Sequence, residues 1–211
     1  MATHKAGIPF WGWVVWLTVA LLEVVGYRYL PLHIISHFSL RGRPNGFMRK
    51  PTFLIVSIGS PFVLIVVWEL IWHWQVSASN AALIFRTMGG ILVAFLSATN
   101  LWVAGHSLNS SLVNTRVPAC LLGLLIVVCA PLLARVPTNS WVGIRTPRTL
   151  QDPRAWHVAN RRSAQWGAIA GGVLAVMAWI VPIAADNIMG LGMVVIWLLL
   201  SIMPIKGRNK S

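Results

Sequence analysis

Six long apolar runs constrain this chain more than any other feature of its sequence. They cover residues 11–27, 51–74, 82–105, 117–134, 164–184 and 188–205. About 20 apolar residues cross the hydrocarbon core of a bilayer as a helix. Backbone groups in lipid must be satisfied within the protein, which excludes open sheet, so each run predicts a helix. The sequence therefore predicts an all-α polytopic membrane helix bundle with six transmembrane helices, in which residues 1–211 form a single integral membrane domain.

The composition supports a bilayer as the main solvent of the chain. Only 4 of the 211 residues are acidic, and 57% of all residues are hydrophobic. These values exclude a soluble enzyme and an ordinary nucleic-acid-binding domain, because both need extensive polar surface. The two cysteines, Cys120 and Cys129, share one apolar run and lack a metal-binding spacing. We therefore expect no enzymatic activity, no cofactor and no direct contact with nucleic acid.

The basic residues predict the orientation of the bundle. With six spans, the side that carries both termini holds more Lys and Arg than the opposite side. Loops rich in these residues stay in the cytoplasm. The excess predicts a bacterial inner-membrane protein with both termini in the cytoplasm. On this topology, residues 28–50 form an extracellular loop module, and residues 135–163 form a cytoplasmic basic loop.

Three ionisable side chains, Glu23, Glu69 and Arg86, lie within the predicted spans. Charges at this depth are costly and are candidate functional groups. Glu69 and Arg86 flank the same short turn at similar distances, so an ion pair between them is plausible. The pair is interpreted either as structural, with Arg86 reaching to the interface, or as a transport or relay site. For Glu23 we expect a structural pair with Arg28 or with the rest of the first loop.

The first loop, residues 28–50, contains His33 and His37, four positions apart. On a helix both imidazoles would share a face and could suit a metal, but no third ligand and no HExxH motif accompany them. A folded extracellular cap with His37 hydrogen-bonded locally is the preferred interpretation. The Asn45-Gly46 dipeptide that follows a proline predicts a turn.

The second loop, residues 135–163, has two parts. Its first half is rich in Pro, Asn and Gly, which predicts non-helical turns. Asp152 and Pro153 then predict a helix start, because an Asp oxygen caps free N–H groups and Pro suits the first helical position. No helix breaker follows before Gly171. The helix can therefore continue directly into the fifth span.

Two faces of this helix are distinct in the sequence. One face carries Arg154, His157 and Arg161, and another carries Trp156 and Asn160. The pattern is typical of an interfacial helix, with Trp156 at headgroup depth and arginines on the phosphates of anionic lipids. One interpretation is a positive-inside anchor of the fifth span; the other is a docking surface for a cytoplasmic partner or an anionic group. Arg145 is the preferred contact for docking, because the turn residues around it position its guanidinium.

Both loops resemble sequence signatures of the SdpI family of bacterial multi-pass membrane proteins. The second loop fits the family's G-I-R-T-P signature and its surroundings at Pro137, Asn139, Gly143, Ile144, Arg145, Thr146, Pro147, Thr149, Leu150, Trp156, Asn160 and Arg161. The first loop resembles a small domain of unknown function that often precedes this signature, and fits at Leu30, Pro31, His37, Phe38, Gly42, Pro44, Gly46, Phe47 and Lys50. Arg148 replaces the usual Trp after Pro147, so the second loop is more cationic than the family pattern.

The resemblance implies candidate functional residues and a class of function. The candidates are His37, Gly42, Gly143, Arg145, Thr146, Pro147, Trp156, Asn160 and Arg161. The implied function is toxin immunity or envelope-stress sensing, in which the first loop meets a secreted toxin peptide and the second binds a cytoplasmic regulator. The alternative is a small transporter or ion-coupled carrier that uses Glu69 and Arg86, with Glu23. A membrane enzyme that combines Arg145 with His37 is nearly excluded, because the predicted topology puts them on opposite faces.

Overall fold

The computed structural model describes residues 6–39, 44–76, 80–109 and 116–181. These residues form α1 (Phe10–Gly26), β1 (His33–Phe38), β2 (Pro44–Arg49), α2 (Lys50–Ile71), α3 (Ala82–Leu108), α4 (Val117–Leu133), α5 (Pro147–Gln151) and α6 (Pro153–Ile180). A 3-10 turn, Tyr27–Tyr29, extends α1, and a π-helical turn, Trp72–Val76, extends α2. The predicted sixth span, residues 188–205, and the candidate residue Gly42 lie outside the described residues.

Helices occupy the first four predicted spans and residues 164–180 of the fifth. Within the described residues, four helical segments are long and apolar enough to cross a membrane: Phe10–Tyr29, Lys50–Trp74, Ala82–Leu108 and Pro153–Ile180. The apolar helix α4 has 17 residues, a length of about 26 Å at 1.5 Å per residue. The protein is therefore a mostly helical membrane bundle, whereas the count of six spans and the sides of the termini remain predictions.

The predicted helix start at Asp152 is confirmed. The Oδ1 atom of Asp152 accepts the backbone N–H of Arg154 at 2.8 Å, and Pro153 occupies the first helical position. From there α6 runs for 28 residues without interruption into the fifth span. The second loop is therefore rigidly connected to a membrane helix.

Two glycines bring α4 and α6 into backbone contact. A Cβ added at Gly123 would lie 2.6 Å from the carbonyl oxygen of Gly171, and one added at Gly171 would lie 2.7 Å from that of Gly123. Small residues allow membrane helices to approach closely and to gain van der Waals contact. The guanidinium of Arg116, which precedes α4, also donates to the carbonyl of Trp179 near the end of α6. The two antiparallel helices are therefore joined near their middle and at one end.

Polar contacts inside the bundle join α1, α2 and α3. The hydroxyl of Ser57 donates to Oε1 of the buried Glu23 at 2.6 Å, and Nδ2 of Asn100 donates to the carbonyl of Ser57 at 2.9 Å. The predicted pairing of Glu23 with Arg28 is wrong. The helical period turns Glu23 inward onto α2, whereas Arg28 is exposed and its guanidinium lies 4.6 Å from the ring centroid of Tyr29.

The first loop forms an antiparallel hairpin of β1 and β2, which corrects the all-α prediction. Ile34 pairs with Met48, and both pack onto a cluster that contains Phe53 and Ala104. Side chains alternate between the two faces of a strand, and β-branched residues suit a half-buried strand. Because Phe53 begins α2 and Ala104 is near the end of α3, the hairpin caps the end of the bundle remote from residues 135–163.

Local details of the hairpin differ from the sequence predictions in two places. His33 and His37 belong to a strand rather than a helix. Asn45 and Gly46 lie in β2 rather than in the turn, and Gly46 pairs with His37. Cross-strand pairing therefore outweighs their local turn preference. The predicted local hydrogen bond of His37 is confirmed, because its Nδ1 lies 2.6 Å from Oδ1 of Asn45.

Candidate functional site

Residues 135–163, which we call the loop platform, cover the end of the bundle opposite the hairpin. Val136 and Trp156 are buried in one apolar cluster with the residue that precedes α3. Trp141 packs on a second cluster that contains Trp72, at the end of α2. The platform is therefore a folded part of the bundle rather than a solvated loop.

Trp156 lies inside the platform, so it is not the lipid-facing interfacial indole that the sequence predicted. Its side chain is 2% exposed. Its Nε1 donates to the carbonyl of Val136 at 2.8 Å. A buried indole N–H needs a hydrogen-bond acceptor, and the loop supplies one. The residue thus connects the start of the platform to the first turn of α6.

Asn160 and Gly143 form a second joint between the loop and α6. The Oδ1 atom of the buried Asn160 accepts the N–H of Ile144 at 2.8 Å, and its Nδ2 donates to the carbonyl of Trp156 at 3.0 Å. Gly143 has a φ of +120°, and an added Cβ would lie 2.7 Å from that same Oδ1. A residue with a side chain is strained in this conformation. Gly143 is therefore required for the loop to reach Asn160.

Two local motifs shape the rest of the platform. Asn139 Oδ1 accepts backbone N–H groups from the second and third residues that follow it, at 2.7 and 2.8 Å. Thr146 caps α5, because its hydroxyl accepts the N–H of Thr149 at 3.2 Å while its own N–H donates to the Thr149 hydroxyl at 2.8 Å. Pro147 then starts α5, where its missing N–H is not needed. Thr146 and Pro147 thus determine the path of the backbone.

Sequence reasoning treated Asn139 only as one of several turn-forming residues and assigned no structural role to Thr149. Signals for both were present. An Asn oxygen commonly accepts N–H groups two residues onward, and residues three apart, such as Thr146 and Thr149, have the spacing of a capping box. The buried hydroxyl of Thr149 also donates to the carbonyl of Ile144 at 2.7 Å, a contact that only the folded loop reveals.

The cationic side chains of the platform face outward. Arg145 is exposed, and its guanidinium donates to the carbonyl of Ser140. Arg154, His157 and Arg161 are exposed on α6, which confirms that the predicted cationic face is accessible. The candidates therefore divide into those that build the platform, such as Gly143 and Asn160, and those that present charge on it.

Glu69 and Arg86 do not form the ion pair that their sequence positions made plausible; each binds the backbone of the segment before α1. The carboxylate of Glu69 accepts the N–H groups of Gly7 and Ile8 at 2.8 and 2.9 Å, and Nε of Arg86 donates to the carbonyl of Ala6 at 2.8 Å. Charge-assisted hydrogen bonds of this kind are strong. We call these five residues the N-terminal clamp. Each charge is thus satisfied by a main chain that is remote in sequence.

The hairpin contributes a groove at the other end of the bundle. The groove has a volume of about 440 Å³ and lies between the outer face of the hairpin and the end of α3. It is lined by Pro31, His33, Ile35, Phe47, His106, Ser107, Leu108 and Asn109. The contribution of α3 was missed by sequence reasoning, because only tertiary packing brings residues 106–109 beside the first loop. The described part of the chain contains no group of three or more His, Cys, Asp or Glu that could hold a metal.

Two comparisons with known proteins find similarity, one over residues 135–205 and the other over 75% of the chain. Residues 135–205 match the model of the SdpI/YfhL protein family. The chain is also similar to the immunity protein SdpI of Bacillus subtilis strain 168, with 23% identity over 164 residues, which is 75% of this chain and 75% of that protein. No solved structure matches the chain. The family match begins at the first residue of the platform and extends through α6.

Proposed function

We propose that the chain is a member of the SdpI family and a multi-pass membrane protein that gives a bacterial cell immunity to a secreted toxin. The proposal rests on the similarity to an immunity protein, which covers 164 residues and 75% of that protein's length. The aligned region is more than twice as long as residues 135–180, which make up the loop platform and α6, so the similarity is not confined to them. Two folded elements support it. The hairpin groove and the loop platform lie at opposite ends of α3, whose 27 residues extend about 40 Å.

The hairpin groove is the proposed contact with the toxin. Phe47 is 60% exposed on β2, beside Ile35 of β1 on the same face. Exposed aromatic and aliphatic side chains in a concave site are typical anchors for a peptide. His33 and Asn109 add hydrogen-bonding groups to the same groove. A secreted peptide could therefore contact this end of the bundle without crossing the membrane.

The loop platform is the proposed contact with a cytoplasmic regulator. Arg145 projects from a segment whose path is determined by the Asn160 joint and the Thr146 cap, so its guanidinium is well positioned for an acidic partner. The platform also contacts the ends of α2 and α3, which begin or end at the hairpin. A displacement of these helices by a toxin would therefore reach Arg145 through packed side chains.

We further propose the inner bacterial membrane, six spans and cytoplasmic termini, which cysteine labelling can test. Leu32 is 77% exposed beside the hairpin, and Arg145 is exposed on the platform. In a background without Cys120 and Cys129, an impermeant maleimide added to intact cells should label Leu32→Cys. It should label Arg145→Cys at least tenfold less until the cells are lysed. Equal labelling of both variants in intact cells would contradict the topology.

Among the residues that the structure describes, no contact supports the alternative of a transporter that uses Glu69 and Arg86. Both side chains are engaged in the N-terminal clamp. Glu23 lies elsewhere in the bundle, where it is hydrogen-bonded to Ser57. The three charges thus belong to two separate structural contacts, and immunity remains the better-supported function.

The test of immunity is survival of toxin-sensitive cells that express the chain. Challenge with the toxin that the Bacillus subtilis relative neutralises should leave expressing cells alive. Phe47→Ser should reduce survival at a fixed toxin dose by about tenfold or more, because aromatic anchors contribute much of the binding energy of an interface. The matched control is Leu150→Ser, which removes an exposed apolar side chain from the platform and should preserve survival.

Membrane levels of each protein should be equal by immunoblot. If the unmodified chain is present in the membrane and killing is unchanged, immunity to that toxin is excluded. If Phe47→Ser and Leu150→Ser protect equally well, immunity stands but the groove is not the contact.

A further inference from the structure

α6 turns one continuous face outward along its whole length. Exposed residues on this face include Arg154, Val158, Arg161, Ile169, Val176 and Ile180. At 3.6 residues per turn they fall within a sector of about 100°. The buried residues of α6, such as Asn160 and Gly171, lie on the opposite side. The face that carries the arginines is therefore the same face that meets lipid farther along the helix.

The character of this outward face changes at Trp166. From Ile169 to the end of α6 its exposed side chains are apolar, as expected of contact with acyl chains. Trp166 is 43% exposed, and indoles concentrate at the interface between hydrocarbon and headgroups. Arg161 and Arg162 precede it by about one turn, or 6–8 Å along the axis. Trp166 thus occupies the interfacial position that the sequence assigned to Trp156, and the two arginines lie at headgroup level.

The length of α6 independently places Arg161 and Arg162 near the level of the lipid headgroups. Its 28 residues extend about 42 Å, roughly 12 Å more than the hydrocarbon core is thick. About eight residues therefore project beyond the hydrocarbon, and the first turns of α6 are the polar ones. Arg161 and Arg162 follow this projecting segment, where their long side chains can reach the headgroups.

No carboxylate on α6 neutralises these guanidiniums. Residues 153–181 contain no Asp or Glu, and the adjacent Asp152 is used as the helix cap. Guanidinium groups form paired hydrogen bonds with phosphate oxygens. A protein regulator would have to approach a face that continues directly into the lipid-facing side of the helix, whereas phospholipid headgroups would border that face in a membrane. Charge and position together therefore favour a lipid phosphate.

We propose that Arg161 and Arg162, assisted by Arg154, form a binding site for anionic phospholipid in the leaflet that borders the loop platform. The site shares α6 with the Asn160 joint, because Asn160 immediately precedes Arg161. Bound lipid would therefore hold α6 at the depth at which the platform is assembled. This inference does not depend on the immunity proposal, since it concerns the lipid-facing side of one helix.

The test is lipid binding to the full chain, purified in a zwitterionic detergent and titrated with phosphatidylglycerol or phosphatidylcholine. Bound lipid is counted by native mass spectrometry. The double variant Arg161→Gln/Arg162→Gln should bind phosphatidylglycerol at least tenfold more weakly, since each surface arginine contributes about fivefold. Phosphatidylcholine binding should not change, and Arg161→Lys/Arg162→Lys should retain most of the binding because it keeps both charges.

The matched control is Arg145→Gln/Arg148→Gln, which removes the same charge from the loop part of the platform and should leave phosphatidylglycerol binding within about twofold. If both double variants weaken phosphatidylglycerol binding equally, the effect is general charge attraction, and the proposal of a specific site is overturned. Unchanged lipid binding together with loss of a co-purifying protein would identify a protein-docking face instead. If the double Gln variant does not fold, the exposed Arg154→Gln decides: it should weaken phosphatidylglycerol binding severalfold, and no change would overturn the proposal.

Discussion

Replacing Gly171 by alanine should destabilise the bundle by about 1–3 kcal/mol, the usual cost of forcing an extra carbon into a packed interior. The new Cβ would lie 2.7 Å from the carbonyl oxygen of Gly123 and 2.9 Å from the backbone nitrogen of Val127. Both neighbours are main-chain atoms of α4, so no side-chain rotation can relieve the overlap. The helices must separate, and the close contact between them is lost. Thermal unfolding of the purified protein in mild detergent measures this loss.

The neighbouring glycine provides the control for this experiment. A Cβ added at Gly172 meets no atom within 4 Å. Because Ala favours helix over Gly by up to about 1 kcal/mol, Gly172→Ala should leave the midpoint of unfolding unchanged or raise it. Equal midpoints for the Gly171 and Gly172 variants would show that α4 and α6 are not in backbone contact there.

Replacing Gly143 by alanine should cost about 3 kcal/mol and release the loop platform from α6. The backbone at Gly143 has a φ of +120°, a conformation that costs a residue with a side chain about 1–3 kcal/mol. The added carbon would also overlap Oδ1 of Asn160 and the ring of Trp156, at 2.7 and 2.9 Å. Relief of the overlap would break the hydrogen bond from Ile144 to Asn160. The variant therefore loses both the native backbone conformation at residue 143 and the hydrogen-bonded contact between the loop and Asn160.

Tryptic cleavage of the detergent-solubilised protein measures the release, because the platform contains exposed arginines such as Arg145 and Arg148. Cleavage within residues 135–163 should become at least tenfold faster in Gly143→Ala. The control is Gly59→Ala in α2, where an added Cβ has open space, and its cleavage rate should match that of the unmodified protein. A Gly143 variant that resists trypsin equally well would disprove the strained conformation at this residue.

The sequence alone predicts the role of a residue when its structural partner lies near it along the chain, and fails when the partner is distant. Asp152 caps a helix two residues away, so its role could be predicted from the local pattern and is confirmed. Glu69 binds a backbone that precedes it by more than sixty residues, and nothing local indicated that contact. The same distinction applies to Trp156. Its position on a helix face was predictable, but its acceptor at Val136 depends on how the loop folds back.

The first loop shows a second limit of local reasoning. His33, His37 and the Asn45-Gly46 dipeptide have local preferences that suggested a helical histidine pair and a turn. Pairing between β1 and β2, together with burial of Ile34 on the helix ends, outweighs those preferences. Strand pairing is a contact between segments, and β-propensity is strongly dependent on such context. The turn at Asn45-Gly46 was therefore predicted incorrectly, whereas the folded cap that was preferred over a helical histidine pair is confirmed.

The sequence alone determined that this protein is a helical membrane protein, because long apolar runs in lipid have no other way to satisfy their backbone groups. It also located the start of α6 and the loop that carries the family signature. The tertiary structure decided which polar side chains build that loop and which face outward. It buried Trp156 and Asn160, exposed Arg145, Arg154 and Arg161, and assigned Glu69 and Arg86 to the N-terminal clamp. The physical reason is that helix formation follows from local composition, whereas a buried polar group is satisfied by any segment that packing brings near it.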